Sequence, residues 1–186
     1  MGCVAMKMQR ARRERAAAAA IDRLGGDVSW SSADSSEESA GRDWLRSLLG
    51  DGFFTHPDSV LIDSEAALEY LADLTHVRSL RLDGSQITEA GLAHLTRLTR
   101  LERLYIRDTR VSDSGLEHLK RLTRLEELYI RDARVSDSGL EHLKRLTQLE
   151  DLILFRTQIS DTGVRILQQA LPHCDVHHIE DVECFP

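Results

Sequence analysis

LYIRDTRVSDSGLEHLKRLT, residues Leu104 to Thr123, is followed by LYIRDARVSDSGLEHLKRLT, residues Leu128 to Thr147. The copies differ only at Thr109 against Ala133, and they are offset by 24 residues. Self-similarity at such a period marks units that cannot bury an apolar face alone and do so by stacking. Each copy has two halves. Leu104 and Ile106 alternate as a strand does, whereas Leu116, Leu119 and Leu122 recur at helical spacing.

Working outward, the same pattern fills Val77–Arg100, Leu101–Arg124, Leu125–Gln148 and Leu149–Pro172. A degenerate unit precedes them: Leu68, Leu71 and Leu74 lie 24 residues before Leu92, Leu95 and Leu98. Its strand half, Val60 to Ile62, is about four residues out of step with the repeat period. A closing stub puts Cys174 and Val176 in the places of Leu152 and Leu154. Thr88, Ser112, Ser136 and Ser160 stand where helix N-caps belong, and Asp113 adds negative charge to a first turn. Gly91, Gly115, Gly139 and Gly163 recur inside the helices, which predicts a neighbour too close for a Cβ.

These residues resemble leucine-rich repeats, whose signature is L-x-x-L-x-L-x-x-(N/C)-x-L. Leu101, Leu104, Ile106 and Val111 fit it, as do Leu125, Leu128, Ile130 and Val135, and Leu149, Leu152, Leu154 and Ile159. SQITEAGLAHLTRLTRL and TQISDTGVRILQQAL are similar to bacterial repeats of the form TQITDAGLAHLKGLTNL, and Leu171–Cys174 resembles the end of such arrays. The resemblance implies an α/β solenoid, a horseshoe with parallel strands on the concave face and short helices outside. Residues 1–56 then form a helical and irregular cap with a Ser-rich loop, 57–178 the repeat domain and 179–186 an acidic tail. The asparagine position holds Ser85, Thr109, Ala133 and Thr157. Thr and Ser replace only part of an amide's bonding and Ala133 none, so water or another loop path must satisfy that backbone.

The cap region is less regular. Residues 1–9 carry no pattern and are expected to fray, and Arg10 to Leu24 favours helix up to Gly25-Gly26. Asp27 to Trp30 suits a short strand, Ser31 to Gly41 a loop, and Asp43 to Leu49 an amphipathic helix. The net charge of -7 argues against a nucleic-acid partner. Three cysteines without CxxC spacing fit a reducing, cytoplasmic setting. No apolar run reaches the roughly 18 residues of a membrane span. The Met-Gly-Cys start has Met6 where a myristoylation signal needs Ser or Thr.

Strand alternation sorts the outward residues into three columns. They are Ser79, Arg103, Glu127, Asp151; Arg81, Tyr105, Tyr129, Ile153; and Asp83, Arg107, Arg131, Phe155. Tyr and Arg are enriched at binding hot spots, and repeat proteins bind on extended concave surfaces. The expected contact surface is therefore Arg81, Arg103, Tyr105, Arg107, Glu127, Tyr129, Arg131, Ile153 and Phe155, serving a non-catalytic protein-interaction module without a cofactor. Strand propensity alone also favours Tyr and Ile. Weak self-association through Phe155 or the C-terminal edge is a further expectation.

A second reading uses the tail for metal binding or catalysis through His173, Cys174, His177, His178 and Cys184, although their spacing matches no usual zinc finger. His94, His118 and His142 recur with the repeat and are read as copies rather than a metal ladder. A third reading, a substrate-recruiting adaptor of a ubiquitin-ligase type assembly, finds no docking element in residues 1–56. Phosphate loops, nucleophile elbows and HExxH motifs do not occur.

Overall fold

The structure, a computed structural model, describes residues 2–32, 55–84 and 86–180. Most of the expected Ser-rich loop, the Asp43–Leu49 helix and Cys184 lie outside the described residues. Helix α1 spans Gly2–Arg23. It therefore begins eight residues before the expected start, and the segment read as frayed is its first turns. Strands β1 (Asp27–Ser32), β2 (Thr55–Ile62), β3 (Ser79–Asp83), β4 (Arg103–Arg107), β5 (Glu127–Arg131), β6 (Asp151–Phe155) and β7 (Asp175–Ile179) follow.

The strands form one sheet in sequence order. β1 pairs antiparallel with β2, and every later pair is parallel. A parallel strand needs a return connection on one face of the sheet. Here each return is a short helical segment, and the leucines of both halves meet between the two layers. Leu80, Leu82, Leu92, Leu95 and Leu98 are fully buried, and their equivalents repeat through the stack. At one end α1 lies against β1, β2 and the 3-10 helix Glu65–Asp73. Ala17, Ala18 and Ile21 are its buried contacts, and small alanines let the helix approach closely.

The return segments are mostly not plain α-helices. Glu89–Leu92 and Asp113–Leu116 are single α turns that tighten into 3-10 helices at Ala93–Arg97 and Glu117–Arg121. Leu92, Leu95 and Leu98 recur every third residue, a spacing that a helix with three residues per turn stacks along one line. The spacing does not decide the helix type, because residues 137–143 have the same sequence as 113–119 and form one α-helix. Asp137–Leu143 and Asp161–Ala170 stay α-helical.

Two other expectations change. The hydroxyls of Thr88, Ser112 and Ser136 do not cap their own helices, although their backbones have the extended N-cap conformation. Only Ser160 does so, accepting from the Gly163 N–H at 3.1 Å. The others turn to the preceding repeat: Thr88 donates to Glu65, Ser112 to Glu89, and Ser136 to Asp113 at 2.6 Å. Second, Val176 and not Cys174 pairs with Leu152, and His178 pairs with Leu154. The main-chain bond from Asp175 N–H to the Glu150 carbonyl, 2.6 Å, sets this register.

The loop at the asparagine position also resolves differently. The hydroxyls of Thr109 and Thr157 are buried without a hydrogen-bond partner. The backbone ties the repeats instead: Asp108 N–H donates to the Arg131 carbonyl at 3.1 Å and Asp132 N–H to the Phe155 carbonyl at 3.0 Å. Beyond the corner, Arg110 N–H donates to Ile87 and Arg134 N–H to Val111. Asp108 and Asp132 adopt left-handed φ of 51° and 49° to make that corner. Main-chain pairing replaces the amide side chain.

Candidate functional site

The parallel register fixes the outer face of the sheet. Ser79, Arg103, Glu127 and Asp151 align, as do Arg81, Tyr105, Tyr129 and Ile153, and Asp83, Arg107, Arg131 and Phe155. The sheet lengthens two of these columns at the β2 end and all three at the β7 end. Ser59 and Leu61 of β2 align with Ser79 and Arg81 at one end, and Asp175, His177 and Ile179 of β7 extend the columns at the other. The middle of the face therefore carries Arg and Tyr, the first column turns acidic at Glu127, Asp151 and Asp175, and the other two end on Ile153, Phe155, His177 and Ile179.

The nine residues expected to contact a partner all lie on this face, and all are half-buried. They are covered by one another across the strands. Tyr105 Oη donates to Glu127 Oε2 at 3.0 Å, and the rings of Tyr105 and Tyr129 stand 6.3 Å apart at 41°. The Arg107 guanidinium lies 6.0 Å from the Tyr129 ring, and those of Arg131 and Arg156 lie 5.0 and 5.3 Å from the Phe155 ring. Arg156 follows the strand and was not in the sequence-derived set. Burial, then the bond to Glu127, pushes the Tyr105 phenol above its ordinary pKa.

Ser59, Ser79, Arg81, Tyr105, Arg107 and Tyr129 line a depression of about 470 Å3. Within this patch the Nε atoms of Arg81 and Arg107 are buried and make no hydrogen bond. Arg81 keeps only a longer ion pair with Asp83, 3.5 Å from Nη2 to Oδ2. Guanidinium N–H groups that have left water without an acceptor favour an incoming anion.

The tail residues are not gathered in this way. Cys174 is buried in the core, and burial pushes its thiol up to about 11, with the charges of Asp151 and Asp175 adding to the effect. A neutral thiol is a poor metal ligand. His177 and His178 are neighbours on β7 and take opposite faces of the strand. His178 Nδ1 stands 3.8 Å from Asp161 Oδ1, while His173 is exposed in the preceding turn. His94, His118 and His142 sit on the return segments, away from the concave face.

No protein-family model matches the sequence, and no curated protein does. Solved structures do match. The leucine-rich-repeat ectodomain of the receptor kinase SOBIR1 from Arabidopsis thaliana superposes over 90% of this chain and 92% of its own, with TM-score 0.54 and 14% identity. Internalin C2 from Listeria monocytogenes is 27% identical over 59% of this chain, with TM-score 0.48. Internalin inlF from the same organism is 17% identical over 68%, with TM-score 0.36. The chain spans about half the length of these internalins, 45% and 48%. The superposition on SOBIR1 and the parallel sheet define a leucine-rich-repeat fold. The chain therefore has the architecture of an α/β solenoid of this fold.

Proposed function

We propose that the chain is a protein-interaction module whose concave face receives a partner bearing an acidic side chain beside an aromatic or apolar one. The observation that carries this reading is the pair of buried, unbonded Nε atoms of Arg81 and Arg107 beside Tyr105 and Tyr129. A carboxylate seated there would satisfy donors that now have no acceptor. The aromatic rings and Phe155 would supply contact area with few torsions to freeze. A sheet held by successive strand pairings loses little entropy on docking, which favours rigid display.

The face offers recognition chemistry, and the chain is read as non-catalytic and cytoplasmic. Site-specific photocrosslinking tests the placement. A photoreactive residue at Ile153 should capture a partner that the same residue at Lys120, on the outer surface, does not. Capture from Lys120 alone would overturn the reading.

A further inference from the structure

Three side chains far apart in sequence meet where α1 joins the first repeat. Glu14 comes from α1, His56 from β2, and His76 from the turn that leads into β3. Among the described residues, they form the one group of three metal-capable side chains whose donor atoms all lie within 4.8 Å of one another. Glu14 is only 2% exposed. His76 Nδ1 stands 3.2 Å from Glu14 Oε1, and His56 Nδ1 stands 3.8 Å from Glu14 Oε2. The two rings are 4.4 Å apart and tilted by 37°.

We propose that this cluster is a binding site for a divalent transition metal, with zinc the best fit, that fastens α1 to the repeat stack. Two imidazoles and one carboxylate are an established zinc donor set, and bonds of about 2.0–2.1 Å place tetrahedral donors about 3.3 Å apart. His76 meets that value on Oε1 and His56 stands about half an ångström beyond it on Oε2, so the carboxylate would turn to offer one oxygen to the ion between the two rings. His56 supplies an independent sign. Its Nδ1 is buried without a hydrogen-bond partner, although it faces a carboxylate. A simple ion pair leaves that nitrogen unsatisfied, whereas a cation between it and Glu14 uses its lone pair.

Arg10 now supplies the positive charge. Its Nε donates to Glu14 Oε1 at 3.1 Å, and its Nη2 lies 3.3 Å from His76 Nδ1 and against Thr75. The Arg10 side chain is 50% exposed, so it can swing into solvent as the metal enters. Three protein ligands leave a fourth position, and the half-exposed His56 opens it to water.

The test titrates cobalt(II), then zinc, into chelator-treated full-length protein, reading visible absorption and calorimetry. The expected result is one site per chain, with tetrahedral cobalt bands and zinc raising the unfolding midpoint by about 5–10 °C at a hundredfold excess over Kd. His56→Ala and His76→Ala should each weaken binding at least tenfold, and Arg10→Gln should tighten it by removing the competing cation. His56→Ala lies at a partly exposed position, so it reports even if His76→Ala fails to fold. A triple His173→Ala/His177→Ala/His178→Ala variant should bind as the wild type does. Absence of stoichiometric binding, or binding that His56→Ala leaves unchanged, would overturn the assignment, as would loss of binding in the triple variant.

Discussion

Asp113 accepts two bonds from Ser136, one repeat later: the backbone N–H at 2.7 Å and the hydroxyl at 2.6 Å. Ser138 adds a third at 2.5 Å. Asp137 repeats the first two with Ser160 at 2.7 and 2.6 Å. Each carboxylate sits in the first turn of its own return segment and caps the start of the next. Successive repeats are thus linked by charge-assisted bonds as well as by the sheet.

Replacing Asp113 with Ala removes the carboxylate that accepts all three bonds. A hydrogen bond to a charged group contributes about 1.5–3 kcal/mol when well shielded, and partial exposure of this site lowers that to about 1–2 kcal/mol in total. The expected readout is a lower urea midpoint with an unchanged slope. A loss below about 0.5 kcal/mol, the ordinary surface range, would show that the linkage is ornamental.

These bonds also set the acid response. Burial pushes the Asp113 carboxyl up, but the bonds from Ser136, Ser138 and Gly139 outweigh it and hold the group below the ordinary aspartate value of 3.8. Asp137 is lowered chiefly by the Ser160 hydroxyl and N–H. A carboxyl lowered on folding contributes stability that is fully present above its unfolded pKa and is lost as pH falls through its folded one. Stability from this pair should therefore persist at pH 5 and fall below about pH 4. Equilibrium unfolding of Asp113→Asn across that range should show a shallower acid limb than the wild type.

Gly139 tests the closeness of the stack. A Cβ there would stand 2.5 Å from Asp113 Oδ1, and the carboxylate is held in place by one bond on Oδ1 and two on Oδ2. At Gly115 the nearest atoms, Leu92 Cδ1 and Val111 Cγ1, are 3.1 Å away. Alanine gains about 1 kcal/mol of helix propensity over glycine, and overpacking costs about 1–3 kcal/mol. Gly139→Ala should therefore destabilise more than Gly115→Ala, measured by thermal unfolding.

Neighbouring residues on one strand should behave oppositely. Leu104 is fully buried and Tyr105 faces outward. Leu104→Ala should cost about 2–5 kcal/mol. Tyr105→Ala loses a partly exposed ring and the bond to Glu127, and should cost about 1 kcal/mol. Equal losses would mean that the sheet faces are assigned the wrong way round.

Much of this was legible in the sequence because a repeat aligns itself. The period of Leu104 to Thr147 placed β4 and β5 in register, and alternation then sorted Tyr105 and Arg107 from Leu104 and Ile106. The recurrent glycines announced a close approach, which the structure places against the preceding repeat. Contacts across repeats were less visible. Ser136 looked like a local cap because sequence spacing shows the near helix and not the carboxylate 23 residues back. At the last strand the repeat decays, and matching apolar residues put Cys174 in the place that Val176 takes two residues on, in the register that Asp175 and Glu150 impose. Glu14, His56 and His76 share no motif, since only the docking of α1 brings them together.

The central claim is that partner binding runs through the concave sheet face. It is tested by quantitative affinity purification with the wild type, Tyr105→Ala/Tyr129→Ala, and an outer-surface control, Lys120→Ala/Lys144→Ala, each first shown to be folded by circular dichroism. The account predicts that the control retains the wild-type partner and the tyrosine variant loses it at least tenfold. Retention by the tyrosine variant, with loss in the lysine control, would contradict it.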